Sequence, residues 1–146
     1  MIKAGKPLVL MILDGWGMKQ GGDNDALSLA QLPNFDHLWN TYPHTQLDAS
    51  GMDVGLPEGQ MGNSEVGHMN IGAGRVVYQD YTRINMAVDD GSFFKNPAFL
   101  KACSLANEHN GAIHLVGLAS DGGVHSHLNH LLALIKLAKE QNVGQI

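Results

Sequence analysis

The sequence predicts an α/β fold, and three observations carry that prediction. Two segments rich in apolar residues, Leu8–Leu13, which runs without alternation and suits a strand buried on both faces of a parallel sheet, and Ala112–Leu118, read as buried strands. Segments with helical spacing lie between and after them. Polar residues gather where the runs end, at Asp14-Gly15 and at Ser120 to His127, the edge at which open α/β sheets bind ligands.

The first run is bounded by Pro7 and by Asp14-Gly15, which puts Asp14 at the carboxyl end of a strand. Asp-Gly is also a common turn pair, so Asp14 reads either as a turn residue or as a carboxylate held at a site. Met18 to Asn24 is a polar, glycine-bearing loop. Pro33 then opens a helix in which Phe35, Leu38, Trp39 and Tyr42 fall at i, i+3, i+4 and i+7, a stripe expected to be core, and Pro43 closes it. Thr45 to Ala49 reads as a second short strand, and the turn-formers of Ser50 to Gly59 lead onward.

Gln60 to Gly74 holds four glycines around a single serine. Glycine lets backbone approach a ligand closely or take positive φ. Asn63, Ser64 and Glu65 read as the entry to a short helix, since Asn and Ser favour the N-cap and Glu suits the first turn. A serine there faces the positive end of the helix dipole, where phosphate is welcome. The plainer reading is that Ser64 only caps and the glycines only turn.

Arg75 to Tyr78 is a brief extended segment, and Tyr81 to Asp90 is helical up to Gly91. Asn96-Pro97 is an N-cap with proline at the first helical position, and Phe99, Ala102, Cys103 and Ala106 form the buried face of the next helix. Cys103 reads as a small buried hydrophobe rather than a nucleophile. Beyond the second apolar run a helix carries Leu128, Leu131, Leu132, Ile135 and Ala138 on one side, with Lys136 and Lys139 near its polar end. Gly144 stops it, and Gln145-Ile146 read as the start of another strand. The unit breaks off unfinished, so the 146 residues are expected to be the N-terminal part of a longer protein.

Composition narrows the function. A formal net charge of −5 with nine Lys plus Arg argues against nucleic-acid and anionic-membrane partners and for a small-molecule one. A single cysteine, Cys103, excludes an intrachain disulfide and suits a reducing cytoplasm. The apolar run near the N-terminus is short and ends at Asp14, unlike a signal peptide, and no stretch has the length of a bilayer span.

Three polar constellations remain: Asp14, then Asn63-Ser64, then His125 with His127 and His130. A carboxylate and a serine oxygen can share a hard divalent cation, which turns the hydroxyl into a nucleophile near neutral pH. Together with glycine-rich backbone this is the logic of phosphoryl transfer through phosphoserine. The H-x-H-x-x-H spacing at 125–130 could also ligate a metal. Alternatively, His127 and His130 cap or flank the helix while His125 alone faces a ligand.

Taken together, Leu10 to Gly17, Asp48 to Gly51 with Val54 to Pro57, Gln60 to His68, Asn70 to Arg75 and Gly122 to His127 closely resemble the cofactor-independent phosphoglycerate mutase family. The resemblance implies an alkaline-phosphatase-like domain with a mixed or parallel sheet, split in sequence. Residues 1–76 would be its first segment, and 77–146 the beginning of an inserted α/β phosphotransferase domain. It implies two divalent metal ions, typically manganese, and no 2,3-bisphosphoglycerate. Ser64 matches the family's nucleophile, Asp14 a carboxylate on the same metal as Ser64, and His125 a substrate-contacting histidine; His127 and His130 match no metal ligand. The reaction so implied interconverts 3-phosphoglycerate and 2-phosphoglycerate in glycolysis and gluconeogenesis, in a cytoplasmic enzyme expected to be monomeric when full length. The family's other ligands lie beyond residue 146, so residues 1–146 alone are expected to be inert. Other phosphohydrolases or a phosphopentomutase of the same superfamily, and a noncatalytic fragment, are the alternatives.

Overall fold

The computed structural model describes residues 5–18 and 21–146. The chain falls into two compact units, residues 1–48 and residues 49–146.

In the first unit, Leu13, Asp14, Gly15 and Trp16 form a turn closed by the Trp16 N–H donating to the Leu13 carbonyl at 3.0 Å, with Gly15 at φ +74°. Positive φ at the third position of such a turn is why glycine follows Asp14. Helix α1 (Ala26–Leu29) is capped by Asp25, whose carboxylate accepts from the Leu27 and Ser28 amides. Helix α2 (Pro33–Thr41) starts at the expected proline. Phe35 packs between Trp16 and Trp39, at centroid distances of 5.3 and 6.0 Å.

The second unit holds the core. It holds helices α3 (Ser64–Ala73), α4 (Asp80–Asp89), α5 (Pro97–Glu108) and α6 (Leu128–Glu140), with one 3₁₀ turn at Gly51–Val54 before α3 and another at Ser92–Lys95 between α4 and α5. Phe93, Cys103, Ala106, Ala133, Leu137, Ala138 and Val143 form the main cluster; Val54, Leu56 and Val66 form a second beneath α3. Asn96 Oδ1 accepts from the Ala98 amide and opens α5 as the Asn-Pro pair requires. Cys103 is buried, and burial pushes its thiol above the ordinary range, so it stays protonated and inert.

Gly55 sits at φ +83°, and a Cβ there would lie 2.0 Å from the Val77 carbonyl oxygen. The backbone of Val77–Gln79 therefore passes directly over a residue that has to be glycine. Asn70 secures the same segment: its side chain donates to the Val54 carbonyl at 3.1 Å and accepts from the Val77 amide at 2.7 Å. The Gln79 amide adds a bond to the Gly55 carbonyl at 2.9 Å.

The expected sheet is where sequence and structure part. Among the described residues no strand forms, and pairing is limited to an antiparallel bridge between Ser50 and Met61 and a parallel one between Ala112 and Gln145. Leu8 to Leu13 is exposed, from 95% at Leu8 to 45% at Leu13, and Val116 is 98% exposed. An unbroken apolar run records a tendency to be buried, but a strand exists only when a neighbour takes its N–H and C=O groups. The Ala112–Gln145 bridge, reinforced by the Ile113 amide on the Gln145 carbonyl at 3.0 Å, is the parallel relation across a helix that a βαβ unit requires.

Two helical stripes also need correction. Leu38, Trp39 and Tyr42 stay substantially exposed, so the α2 stripe is not core here. On α6 the buried face is Ala133, Leu137 and Ala138, while Leu128, Leu132 and Ile135 are exposed. The helix carries more apolar residues than one face can bury, and Ala133, Leu137 and Ala138 are the ones that join the main cluster.

Candidate functional site

Ser64 is the first residue of α3, and Asn63 is its N-cap, with Oδ1 accepting from the Val66 amide at 3.1 Å. The sequence thus folds locally as its cap residues dictate, leaving Ser64 exposed on the first turn. Gly62 is needed just before it: a Cβ there would lie 1.8 Å from the Ala49 carbonyl oxygen. Gly74, at φ +65°, ends the helix by donating to the Asn70 and Ile71 carbonyls.

One turn on, His68 folds back over the serine. Its Nδ1 lies 2.8 Å from the Ser64 carbonyl oxygen and 3.2 Å from Ser64 Oγ. A carbonyl can only accept, so Nδ1 carries the proton and donates. His68 was not singled out from the sequence; the i, i+4 spacing from Ser64 on a helix was the available signal.

Asp14 occupies the turn after the first apolar run, in the unit of residues 1–48, and is exposed. Ser64 and His125 both belong to the unit of residues 49–146.

His125 is exposed on the loop that joins residue 120 to α6. The Leu128 amide donates to the Ser120 carbonyl at 2.9 Å, closing the loop, and the Gly122 amide donates to Ser120 Oγ at 3.0 Å. Gly123, at φ +73°, lies so close to the Tyr81 ring that a Cβ would approach it to 2.8 Å. His127 is the N-cap of α6, its Nδ1 accepting from the Asn129 amide at 3.1 Å. His130 Nε2 donates to Asn85 Oδ1 at 2.8 Å. Burial, then the neighbouring His127, holds the His130 imidazole below its ordinary value.

His127 and His130 are thus engaged in capping and packing, and Tyr81 lies 5.4 Å from each ring. Among the described residues no group of three or more His, Cys, Asp or Glu side chains could hold a metal ion. No helix there is long and apolar enough to cross a membrane.

Residues 84–146 match the family described as the BPG-independent PGAM N-terminus. The chain is 60% identical over 141 residues to a 2,3-bisphosphoglycerate-independent phosphoglycerate mutase of Clostridium botulinum, covering 97% of this chain. It is 57% identical over 143 residues, 98% of the chain, to one of Staphylococcus aureus. To one of Moorella thermoacetica it is 59% identical over 145 residues, 99% of the chain. It spans 28% of the length of each of these relatives. Over nearly all of its residues, then, the chain is similar to an N-terminal portion of the 2,3-bisphosphoglycerate-independent phosphoglycerate mutases.

Proposed function

We propose that this chain is part of an enzyme that interconverts 3-phosphoglycerate and 2-phosphoglycerate without 2,3-bisphosphoglycerate, with Ser64 as the residue that carries the phosphoryl group. The observation that carries the reading is Ser64 itself, exposed on the first turn of a capped, glycine-flanked helix in a chain similar to these mutases. Its Oγ attacks the phosphorus of 3-phosphoglycerate, the bond from phosphorus to the C3 oxygen breaks, and that oxygen takes up a proton as the serine gives one up. The glycerate stays bound. Its C2 hydroxyl then attacks the phosphoserine phosphorus, the Oγ–phosphorus bond breaks, and Ser64 is restored with a proton. The helix N-terminus favours the negative charge that gathers on the transferring group. Water has to be excluded, because hydrolysis of phosphoserine would turn the mutase into a phosphatase.

His125 contacts the substrate in this reading, from a loop fixed at Ser120, Gly123 and His127. Residues 1–76 are assigned to an alkaline-phosphatase-like domain whose sheet uses Leu8–Leu13, and 77–146 to an inserted phosphotransferase domain. The segment after residue 76 starts from a fixed point, since Asn70 and Gly55 hold Val77 and Gln79.

Two divalent ions, manganese by family, are assigned to the complete enzyme, with Asp14 and Ser64 among their oxygen donors; bound there, they would neutralise phosphoryl charge. The described residues do not make up such a site themselves, and two donors are far short of the six or so a hard cation takes. A monomeric, cytoplasmic enzyme completes the proposal.

The test is phosphorus NMR of the complete protein with 3-phosphoglycerate and manganese and no bisphosphoglycerate, beside Ser64→Ala. Appearance of 2-phosphoglycerate that ceases in the variant is the expected result. Free phosphate instead would identify a phosphohydrolase of the same superfamily, and an unimpaired variant would leave Ser64 a helix cap.

A further inference from the structure

We infer that His68 is a positioning residue for the nucleophile: its Nδ1–H fixes the Ser64 side chain and donates to Oγ, so that it steadies the oxygen when it carries negative charge. The inference rests on the reading of Ser64 as the phosphoryl carrier. Its geometry is independent of that reading.

The shorter of the two contacts fixes the tautomer. Nδ1 lies 2.8 Å from the Ser64 carbonyl oxygen, which has no proton to give, so the proton of that bond belongs to the ring. The same N–H lies 3.2 Å from Ser64 Oγ. One donor is thus shared between the backbone oxygen and the hydroxyl oxygen of a single residue, a three-centre bond. With its Nδ1 lone pair absent, His68 cannot accept the Oγ proton through that nitrogen. It is therefore not a general base of the serine–histidine kind.

What remains is donation, and donation favours the charged form of the acceptor. A bond that strengthens as charge develops on Oγ contributes more to the transition state than to the resting serine. The backbone bond does a second thing: it ties the ring to the turn that carries Oγ, so the donor is already in place before reaction. Both ends lie on one helix, four residues apart, and need no other element to meet.

The chemistry supplies a discriminating pair of variants. Asn places its amide nitrogen where the histidine has Nδ1, whereas Gln places its amide nitrogen where the histidine has Nε2. Helix propensity ranks them the other way, Gln above Asn. In the complete protein, His68→Gln and His68→Ala should lower kcat for 3-phosphoglycerate about three- to tenfold, the range of one net hydrogen bond. His68→Asn should restore most of that loss while melting below His68→Gln. A merely structural role predicts that activity follows stability, with His68→Gln the more active of the two, and activity of His68→Asn no better than that of His68→Gln would overturn the inference.

A second readout does not depend on turnover. Long-range proton–nitrogen correlation on the histidine-labelled protein should show His68 protonated at Nδ1 at neutral pH, the less common neutral tautomer; protonation at Nε2 would overturn the assignment. If the wild-type protein shows no mutase activity while the tautomer is as expected, it is the reading of the reaction that fails, and the role in transfer falls with it.

Discussion

Residues 49–146 bury Cys103, Leu137 and Ala138 almost completely, whereas no described residue of 1–48 is buried. Both units carry an expected site residue, Ser64 in one and Asp14 in the other. They differ in what holds it. Around Ser64 the described contacts include the Gly62 backbone against Ala49, the Asn63 cap, the His68 ring and, beneath the helix, the cluster of Val54, Leu56 and Val66. Asp14 follows an exposed apolar run and sits in a single turn. Caps, turn glycines and a small cluster thus surround the first residue, and an exposed apolar run precedes the second.

The largest effect is expected at the nucleophile itself: in the complete protein, Ser64→Ala should lower turnover by about a thousandfold or more, measured as 2-phosphoglycerate formed. The 146-residue chain alone should show no turnover under the same conditions. Asp14→Ala should weaken manganese binding by the complete protein about tenfold or more, read by calorimetry. Unchanged metal affinity would return Asp14 to the status of a turn residue.

Stability should divide between the units in the same way. Leu137→Ala removes a side chain that is 2% exposed and should cost about 2–5 kcal/mol in chemical denaturation of this chain. Leu10→Ala, at a side chain 72% exposed, should cost no more than about 0.5 kcal/mol. Equal losses would mean that the first unit is packed after all. Gly55→Ala forces an unfavourable backbone conformation as well as a clash with Val77, and strain alone should cost about 1–3 kcal/mol.

The smallest effect is a pH dependence. His130 is held below its ordinary value of 6.5 in the folded chain, first by burial and then by His127. The unfolded chain therefore binds more protons at this residue, and stability rises with pH where it titrates. The contribution is fully present above about pH 6.5 and is lost as pH falls through the lowered folded value. The melting temperature should drop slightly more between pH 7.5 and 5.5 in wild type than in His130→Gln; an equal drop in both would remove His130 from the account.

How much of this was legible in the sequence follows the same division. Caps and turn glycines act within a few residues, so Asn63 before α3, Asn96-Pro97 before α5 and the Asp14-Gly15 turn could all be read directly. His127 as a cap was one of two readings, and the Asn129 amide on its Nδ1 favours it over a metal ligand. The sheet was not recoverable in the same way, because Leu8–Leu13 and Ala112–Leu118 show only apolar character and pairing needs another segment. The α6 stripe was misphased because Leu and Ala surround that helix, and packing rather than hydrophobicity selected Ala133, Leu137 and Ala138. The ring of His68 over Ser64 needed only the i, i+4 rule, once the helix start at Ser64 was fixed.

The central claim is that Ser64 carries the phosphoryl group, and the most direct test is to trap it there. The complete protein, incubated with 3-phosphoglycerate labelled in its phosphate and quenched in acid, should yield label on the peptide that spans Asn63-Ser64-Glu65. Label on another residue, or none on the protein while 2-phosphoglycerate accumulates, would contradict the account.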